Sequence, residues 1–198
     1  MRPNTKLLSE TASQTAGPYV HIGLAPRAAG FEIYRREAGA DIAGPNARGE
    51  RIRVEGVVWD GHGEPVRDVL IEVWQPNAAG VFAGDGAVED GFRGWGRVVC
   101  DFETGAWQFH TVRPGAVADA APHLSLWIAA RGINIGLTTR MYFPECAQAN
   151  AADPVLNLIE DPAARGTLIA SPQERAEMPV YRFDIRLQGD GETVFFDI

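Results

Sequence analysis

The stretch that decides the fold is residues 107–143, which read WQFHTVRPGAVADAAPHLSLWIAARGINIGLTTRMYF and contain the alternating pattern of β-strands. The first six residues predict a strand that ends at Pro114 and Gly115, because proline cannot donate a ladder hydrogen bond and glycine favours a turn. A second strand follows Pro122, and its side chains point alternately to two faces. One face is wholly apolar and carries Leu124, Leu126, Ile128 and Ala130; the other carries His123, Ser125, Trp127 and Ala129. We expect the apolar face in the core and the His123 face toward a site or an interface.

Further strands are predicted on both sides of this stretch. The segment RIRVEGVVWD at 51–60 alternates with Ile52 and Val54 inward, and GHGEPV then leads into VLIEVWQ at 69–75, a pattern typical of a hairpin. RVVCDFE and WQFHTV flank a tight turn and predict a second hairpin. YRFDIRLQ and TVFFDI form a last strand pair around residues 189–192. The spacing predicts a mainly β chain, a β-sandwich of about seven to nine strands.

Helices are predicted to be few and peripheral. Asp153-Pro154 and Asp161-Pro162 each place a capping aspartate before a proline, which indicates the start of a short helix. Residues 1–24 are expected to form an extended N-terminal arm, and residues 25–50 a variable connection. His21, within the arm, is expected at the surface or in an interface. The whole chain, 1–198, is expected to form a single domain.

The composition excludes several classes of partner. The net charge of −8 disfavours nucleic acid and anionic membranes, which require a basic face. Cys100 and Cys146 are too few for a disulfide framework and are expected as reduced thiols. Neither a signal peptide nor a run of 18 apolar residues is apparent, so the chain is expected in the cytoplasm.

Four motifs resemble the intradiol aromatic-ring dioxygenase family. They are SQTAGPYVHIGL at 13–24, VWDGHGEPVRD with LIEVWQPNAAG at 58–80, ARGINI with RMYF at 130–143, and YRFDIRLQGDGETVFFD at 181–197. The resemblance implies a β-sandwich and a reaction in which O2 opens protocatechuate between its two hydroxyls. It also implies an assembly of two unlike chains, of which the iron-bearing β chain holds Fe(III) by two tyrosines and two histidines.

The family's iron ligands are carried over position by position. Phe82 stands where the iron-bearing chain has its first tyrosine, and Val117 stands where it has the second. The His-x-His of the central strand reads His123-Leu124-Ser125, so one ligand of four remains. The positions of a nearby arginine and a nearby glutamine are held by Ala120 and Arg140. Since one imidazole cannot hold Fe(III), we expect no metal in this chain and Fe(III) in the partner β chain.

The resemblance assigns the chain a different part of the site. Its arm and one arginine are implied to form a wall of the partner's substrate cleft, through Thr15, Gly17, Pro18, Tyr19 and Arg131. An arginine suits the carboxylate of protocatechuate because its guanidinium donates charge-assisted, bidentate hydrogen bonds. Two plainer interpretations stay open: Arg131 in a surface ion pair, and the arm in purely structural docking.

A second class of function also stays open. The segment from Val58 to Val73 resembles transthyretin-like binding domains, which favours a stand-alone β-sandwich binding module. Such a module needs neither the arm nor a central strand with one remaining ligand. An independently active dioxygenase is disfavoured, because three of four ligand positions carry other residues.

Overall fold

Two β-sheets form the fold, and the computed structural model describes it for residues 15–37, 39, 42–86, 89–174 and 178–197. Nine strands occur in these residues, in agreement with the predicted mainly β sandwich. They are β1 Arg51–Trp59, β2 Leu70–Trp74, β3 Trp95–Val99, β4 Ala106–Val112, β5 His123–Ala129, β6 Leu137–Tyr142, β7 Ser171–Gln173, β8 Val180–Arg182 and β9 Ile185–Arg186. The first sheet has the order β4-β1-β8-β7, with β9 also paired to β1, and the second has the order β3-β2-β5-β6.

The core lies between the two sheets. It takes its side chains from the inward faces of both, which include Ile52, Val54, Ile71, Val73, Leu124, Leu126, Ile128, Trp107 and Phe183. The prediction for β5 is confirmed, because all four residues of its apolar face are buried there. Gly56 of β1 makes a close packing contact possible, since a Cβ at this position would collide with the carbonyl of Phe183 and the ring of Trp107.

Both hairpins predicted before β5 are wrong as paired strands. β1 pairs with β4 in the first sheet, whereas β2 pairs with β3 and β5 in the second. The turn at Asp60–Glu64 is closed by a hydrogen bond of 2.8 Å from the Val66 N–H to the Val58 carbonyl. After this bond the chain crosses to the other sheet. β3 and β4 are separated in the same way. Turn chemistry indicates a reversal but does not say in which sheet the next strand lies.

The predicted extended arm needs a correction from Pro18 onward. Residues Pro18–Leu24 form helix α1, with extended Gly17 before it and proline in its first turn. This is a helix-start signal, because proline lacks the N–H that would stay unbonded there. Residues 1–14, including part of the first motif, lie outside the described residues. Residues 25–37 contain no further helix.

Of the two predicted peripheral helices, one is confirmed. α3, Pro162–Gly166, begins at Asp161, whose carboxylate accepts from the Ala163 N–H at 2.9 Å. Asp153 instead ends α2, Ala147–Ala152, and is followed only by a 3₁₀ turn at Leu156–Leu158. Its fully buried carboxylate accepts from the Val155 and Leu156 N–H groups, both at 2.9 Å, so the predicted cap is present but begins only this short turn. The carboxylate also accepts from the Ala121 N–H, which ties the loop to the start of β5. No helix among the described residues is long and apolar enough to cross a membrane.

Candidate functional site

The first residue of β5 is buried beneath the outer surface of the second sheet. The His123 ring lies 5.4 Å from the Tyr142 ring, and its Nδ1 is 2.8 Å from the Ala121 carbonyl. Burial, and then the charge of Arg140, lower the pKa of His123 below its usual range. The neighbouring phenol is a neutral donor, since burial raises the pKa of Tyr142 to about 12 and its hydroxyl donates to buried Asp153 at 3.2 Å.

The other positions of the family's metal site gather at this end of β5. Ser125 lies opposite Trp74 in the sheet register, and the Trp74 ring stacks on Phe82 at 6.4 Å between centroids. Val117 lies in the tight turn that precedes the strand, where its N–H and carbonyl both bond Ala120. The structure therefore brings Phe82, His123 and Ser125 to one face, with Val117 in the turn before them.

The opposite end of β5 carries a charged pair. Continuing the antiparallel pairing of Leu70 with Ala129 places Asp68 directly across from Arg131, and the carboxylate Oδ2 lies 3.2 Å from the arginine Nε. The Arg131 side chain is 65% exposed and that of Asp68 is 31% exposed. The surface ion pair considered for Arg131 is thus present, yet the guanidinium remains open to solvent.

The N-terminal arm reaches this same end. The Gly132 N–H donates to the Thr15 Oγ1 at 2.7 Å, which joins the arm to the turn that follows Arg131. Gly132 has φ +90°, a left-handed conformation that favours glycine. His21 of α1 is 7% exposed, with its ring 5.4 Å from that of Phe102, so it is not a surface histidine, and the other expected location, an interface, stays a prediction. Burial lowers the pKa of His21, while nearby Asp68 raises it and Arg131 lowers it further.

The predicted site residues therefore form two groups, one at each end of β5. Thr15, Gly17, Pro18, Tyr19 and Arg131 belong to the arm and to the turn after the strand. Tyr19 is 81% exposed, so its phenol is available to another molecule. Six residue steps separate Ser125 from Arg131, or about 20 Å of extended chain. The predicted substrate-wall residues and the predicted ligand positions are therefore too far apart to form one site.

An exposed aromatic face lies along the outer surface of the second sheet between these ends. We define it by Trp74, Trp95 and Trp127, which line a groove of about 300 Å³. Trp74 is 46% and Trp127 39% exposed. The Trp127 ring packs flat on Gly136, where a Cβ would collide with it. The arm is joined to the neighbouring edge of the sheet, since Arg97 of β3, whose guanidinium lies over the Trp95 ring, donates to the Leu24 carbonyl at 3.0 Å.

The pairing of Asp68 with Arg131 is a feature that the motifs alone did not reveal. Its signal lies in the register: VLIEVW and LSLWIA pair antiparallel, and extending the pair by two residues joins Asp68 to Arg131. The burial of His21 was also missed, because a lone histidine in a predicted extended arm gives no periodic signal.

Solved structures and known sequences agree on one family. The intradiol ring-cleavage dioxygenase from Tetranychus urticae has the same fold, with a TM-score of 0.61 at 18% identity over 77% of this chain and 89% of that one. The family model described as Dioxygenase matches residues 32–189. The chain belongs to the intradiol dioxygenase family.

Two of this dioxygenase's relatives are chains of one enzyme. The protocatechuate 3,4-dioxygenase alpha chain of Pseudomonas putida is 52% identical over 197 residues, which cover 97% of this chain and 98% of that relative. The beta chain of the same enzyme from Burkholderia cepacia is 36% identical over 161 residues, or 73% of this chain and 67% of that relative. This dioxygenase chain is therefore similar to both kinds of subunit, and more similar to the alpha chain.

The donor set of this dioxygenase chain does not fit the iron on which the family depends. Phenylalanine and valine offer no donor atom, serine is a poor ligand for Fe(III), and one imidazole does not suffice. Arg140 lies opposite Ser125 in the sheet register, and its guanidinium donates to the Tyr142 hydroxyl at 3.4 Å, so the positive charge near these positions disfavours a cation. Within the part of the chain that the structure describes, no three His, Cys, Asp or Glu side chains are grouped to hold a metal.

Proposed function

We propose that this chain is the alpha subunit of a protocatechuate 3,4-dioxygenase, and that it acts with an iron-bearing beta chain. The complex would cleave protocatechuate with O2 between the two hydroxyls and yield 3-carboxy-cis,cis-muconate. The observation that carries the proposal is the intact family frame around a metal position that has lost three of its four donors. A chain with this frame needs a partner to supply the iron.

In this proposal the chain contributes the wall of a cleft whose Fe(III) lies in the partner. Thr15, Gly17, Pro18 and Tyr19 present the arm, and Arg131 presents a guanidinium to the carboxylate of protocatechuate. The bond between Thr15 and Gly132 supports this assignment, because it fixes the arm beside the arginine. The open guanidinium and the exposed Tyr19 phenol both suit contact with a second molecule.

The roles of these residues follow from their chemistry. The Arg131 guanidinium binds the carboxylate of protocatechuate and so orients the ring. This orientation determines which ring atoms face the partner's iron. Proline fixes φ at position 18, so this part of the arm offers a backbone surface with little freedom to lose when substrate binds. Iron supplies the activation of the catecholic substrate toward O2, and no residue of this chain takes part in that step.

The aromatic face is the surface we assign to the beta chain. Large exposed apolar groups are uncommon on a monomer when they gather in one area. Here Trp74 and Trp127 are exposed, as are Tyr19 and Leu24 of the arm and Phe31, Ile33 and Tyr34 of the connection that follows it. The net charge of −8 argues against nucleic acid or membrane as the occupant of this area.

Co-expression tests the proposal. Produced alone, the chain should contain no stoichiometric iron and should cleave no protocatechuate. Produced together with a beta chain of the enzyme, it should co-purify as a hetero-oligomer that contains iron and forms the muconate product. One iron per isolated chain would contradict the assignment. A monodisperse monomer that does not bind the beta chain would also contradict the assignment, and would favour the stand-alone binding module.

A further inference from the structure

The ion pair at the end of β5 has a specific geometry. Asp68 approaches Arg131 through Nε, at 3.2 Å, from the side of the guanidinium. Neither Nη atom of Arg131 donates a hydrogen bond to any residue that the structure describes. A guanidinium carries five N–H donors in a planar fork. With Asp68 on the Nε side, the edge formed by the two Nη atoms is the one left for a bidentate carboxylate.

Both members of the pair stand on fixed backbone. Asp68 precedes Val69, whose N–H donates to the Cys100 Sγ at 3.3 Å and whose carbonyl accepts from the Cys100 N–H at 3.1 Å. Arg131 precedes Gly132, whose N–H is bound by Thr15. Asp68 and Arg131 lie in turns just beyond the paired ends of β2 and β5, where Leu70 pairs with Ala129, and the ion pair joins them. The hydrogen bonds of Val69 and Gly132 hold the backbone beside both residues.

The third titratable group nearby leaves this pairing undisturbed. His21 lies buried beside the pair, and its burial lowers its pKa, so the imidazole is neutral near pH 7. A neutral imidazole does not compensate the charge of Asp68. Arg131 is therefore the cation that pairs with the Asp68 carboxylate.

We propose that Asp68 is a positioning residue for Arg131, which holds the guanidinium by its Nε side so that the Nη edge meets the carboxylate of an aromatic acid. This inference rests on the proposed function and names a determinant of its substrate specificity. Asp68 itself does not touch the substrate. Its effect is to reduce the rotamer freedom that the arginine would otherwise lose when substrate binds.

The test uses the co-expressed alpha–beta complex and two substrates. Protocatechuate carries the carboxylate, and catechol lacks it. Asp68→Ala should raise KM for protocatechuate roughly 3- to 10-fold, which is the cost of ordering one free side chain, with kcat little changed. KM for catechol should not move. Asp68→Glu, which keeps the charge, should recover most of the loss.

Three further variants complete the design. Asp68→Asn keeps the shape of the side chain and serves if the alanine variant folds poorly. Asp190→Ala removes an exposed aspartate from a distant turn and should leave both substrates unaffected. In an Arg131→Ala background, Asp68→Ala should add nothing, because a residue that acts through the arginine has no effect without it.

The outcomes separate the two proposals. If Arg131→Ala weakens protocatechuate selectively and Asp68→Ala does not, the positioning role is wrong and the proposed function stands. If Arg131→Ala itself fails to discriminate, the substrate contact assigned to Arg131 is wrong and Asp68 loses its role with it. An equal loss for both substrates, or a lower KM in Asp68→Ala, also overturns the inference. Iron content should stay constant throughout.

Discussion

The Oγ1 of Thr15 accepts a hydrogen bond from the backbone N–H of Gly132 at 2.7 Å, across 117 residues of sequence. The bond joins the N-terminal arm to the turn that carries Arg131. We expect Thr15→Val, which keeps the shape and removes the acceptor, to cost about 1 kcal/mol in this contact. KM for protocatechuate should rise about 5-fold in the alpha–beta complex. Thr15→Ser keeps the hydroxyl and should behave like the native chain; equal behaviour of the valine and serine variants would contradict the role of the bond.

Arg131 itself should determine the preference for a substrate with a carboxylate. Loss of a charge-assisted hydrogen bond costs on the order of 1.5–3 kcal/mol. Arg131→Ala should therefore lower kcat/KM for protocatechuate by roughly 10- to 150-fold and leave catechol much less affected. Steady-state kinetics on the complex measure this difference, with iron content as the control. An equal loss for both substrates would show that the arginine serves subunit association.

Restoring donor residues at the predicted ligand positions should not be enough for strong iron binding, because the charge of a neighbouring side chain opposes it. Phe82→Tyr, Val117→Tyr and Ser125→His together return the missing donors. We expect weak iron binding from this triple variant, because Arg140 lies opposite residue 125 and disfavours a cation. Adding Arg140→Gln should strengthen binding by about 10- to 100-fold, the usual effect of groups that surround the ligands. Metal titration followed by the colour of the Fe(III)–phenolate bond measures both variants, and full catalysis by the triple variant alone would contradict this expectation.

Trp74 should contribute to association with the beta chain. Its side chain is 46% exposed and stacks on Phe82 in the aromatic face. Tryptophans at interface centres often contribute 2 kcal/mol or more, so Trp74→Glu should weaken the complex by roughly 30-fold or more. Analytical ultracentrifugation over a dilution series measures the change. Leu158→Glu is the matched control, since Leu158 is 79% exposed and lies outside the aromatic face; an equal effect of both variants would refute the assigned surface.

The stability of the arm should depend on pH through His21. Burial, together with the charge of Arg131, lowers the pKa of His21 below its ordinary value of 6.5. At pH values between the folded-state pKa of His21 and its ordinary value, the unfolded chain binds more protons than the folded one. The contribution of neutral His21 to the free energy of unfolding is therefore fully present above about pH 6.5 and falls as the solution is acidified. The midpoint of thermal unfolding, measured from pH 7.5 to 5, should fall less steeply for His21→Gln. His62→Gln, at an exposed turn, should keep the native slope.

The sequence predicted the features that depend on local alternation. The two faces of β5, the burial of Ile52 and Val54 and the cap of α3 at Asp161 all follow from residue type and spacing. It predicted neither the sheet that each strand joins nor the helix at Pro18–Leu24. Strand pairing across the sandwich is a long-range property, and a seven-residue helix has too few turns to show a period.

The candidate site divides in the same manner. Phe82, Val117, His123 and Ser125 were assigned by the family resemblance, although they lie outside the four quoted motifs, and the structure brings three of them to one face. The pairing of Asp68 with Arg131 required the register of β2 against β5, which no single motif contains. His21 was expected at the surface or in an interface, because neither its position nor its neighbours in the sequence indicate that its side chain is buried.

The length of β5 turns a small rotation of the subunit into a larger displacement at the far end of the strand. Its apolar face is fixed in the core, so the strand moves with the whole subunit, and its two ends stay about 20 Å apart. A rotation of roughly 5° about the end near Trp74 therefore displaces the guanidinium of Arg131 by roughly 2 Å at the other end. A misplacement of about 1 Å at a reacting centre can cost about 100-fold in rate. If Arg131 binds the substrate as proposed, the docking angle between the subunits should affect the rate, and mutations far from the substrate should change turnover when they tilt this chain.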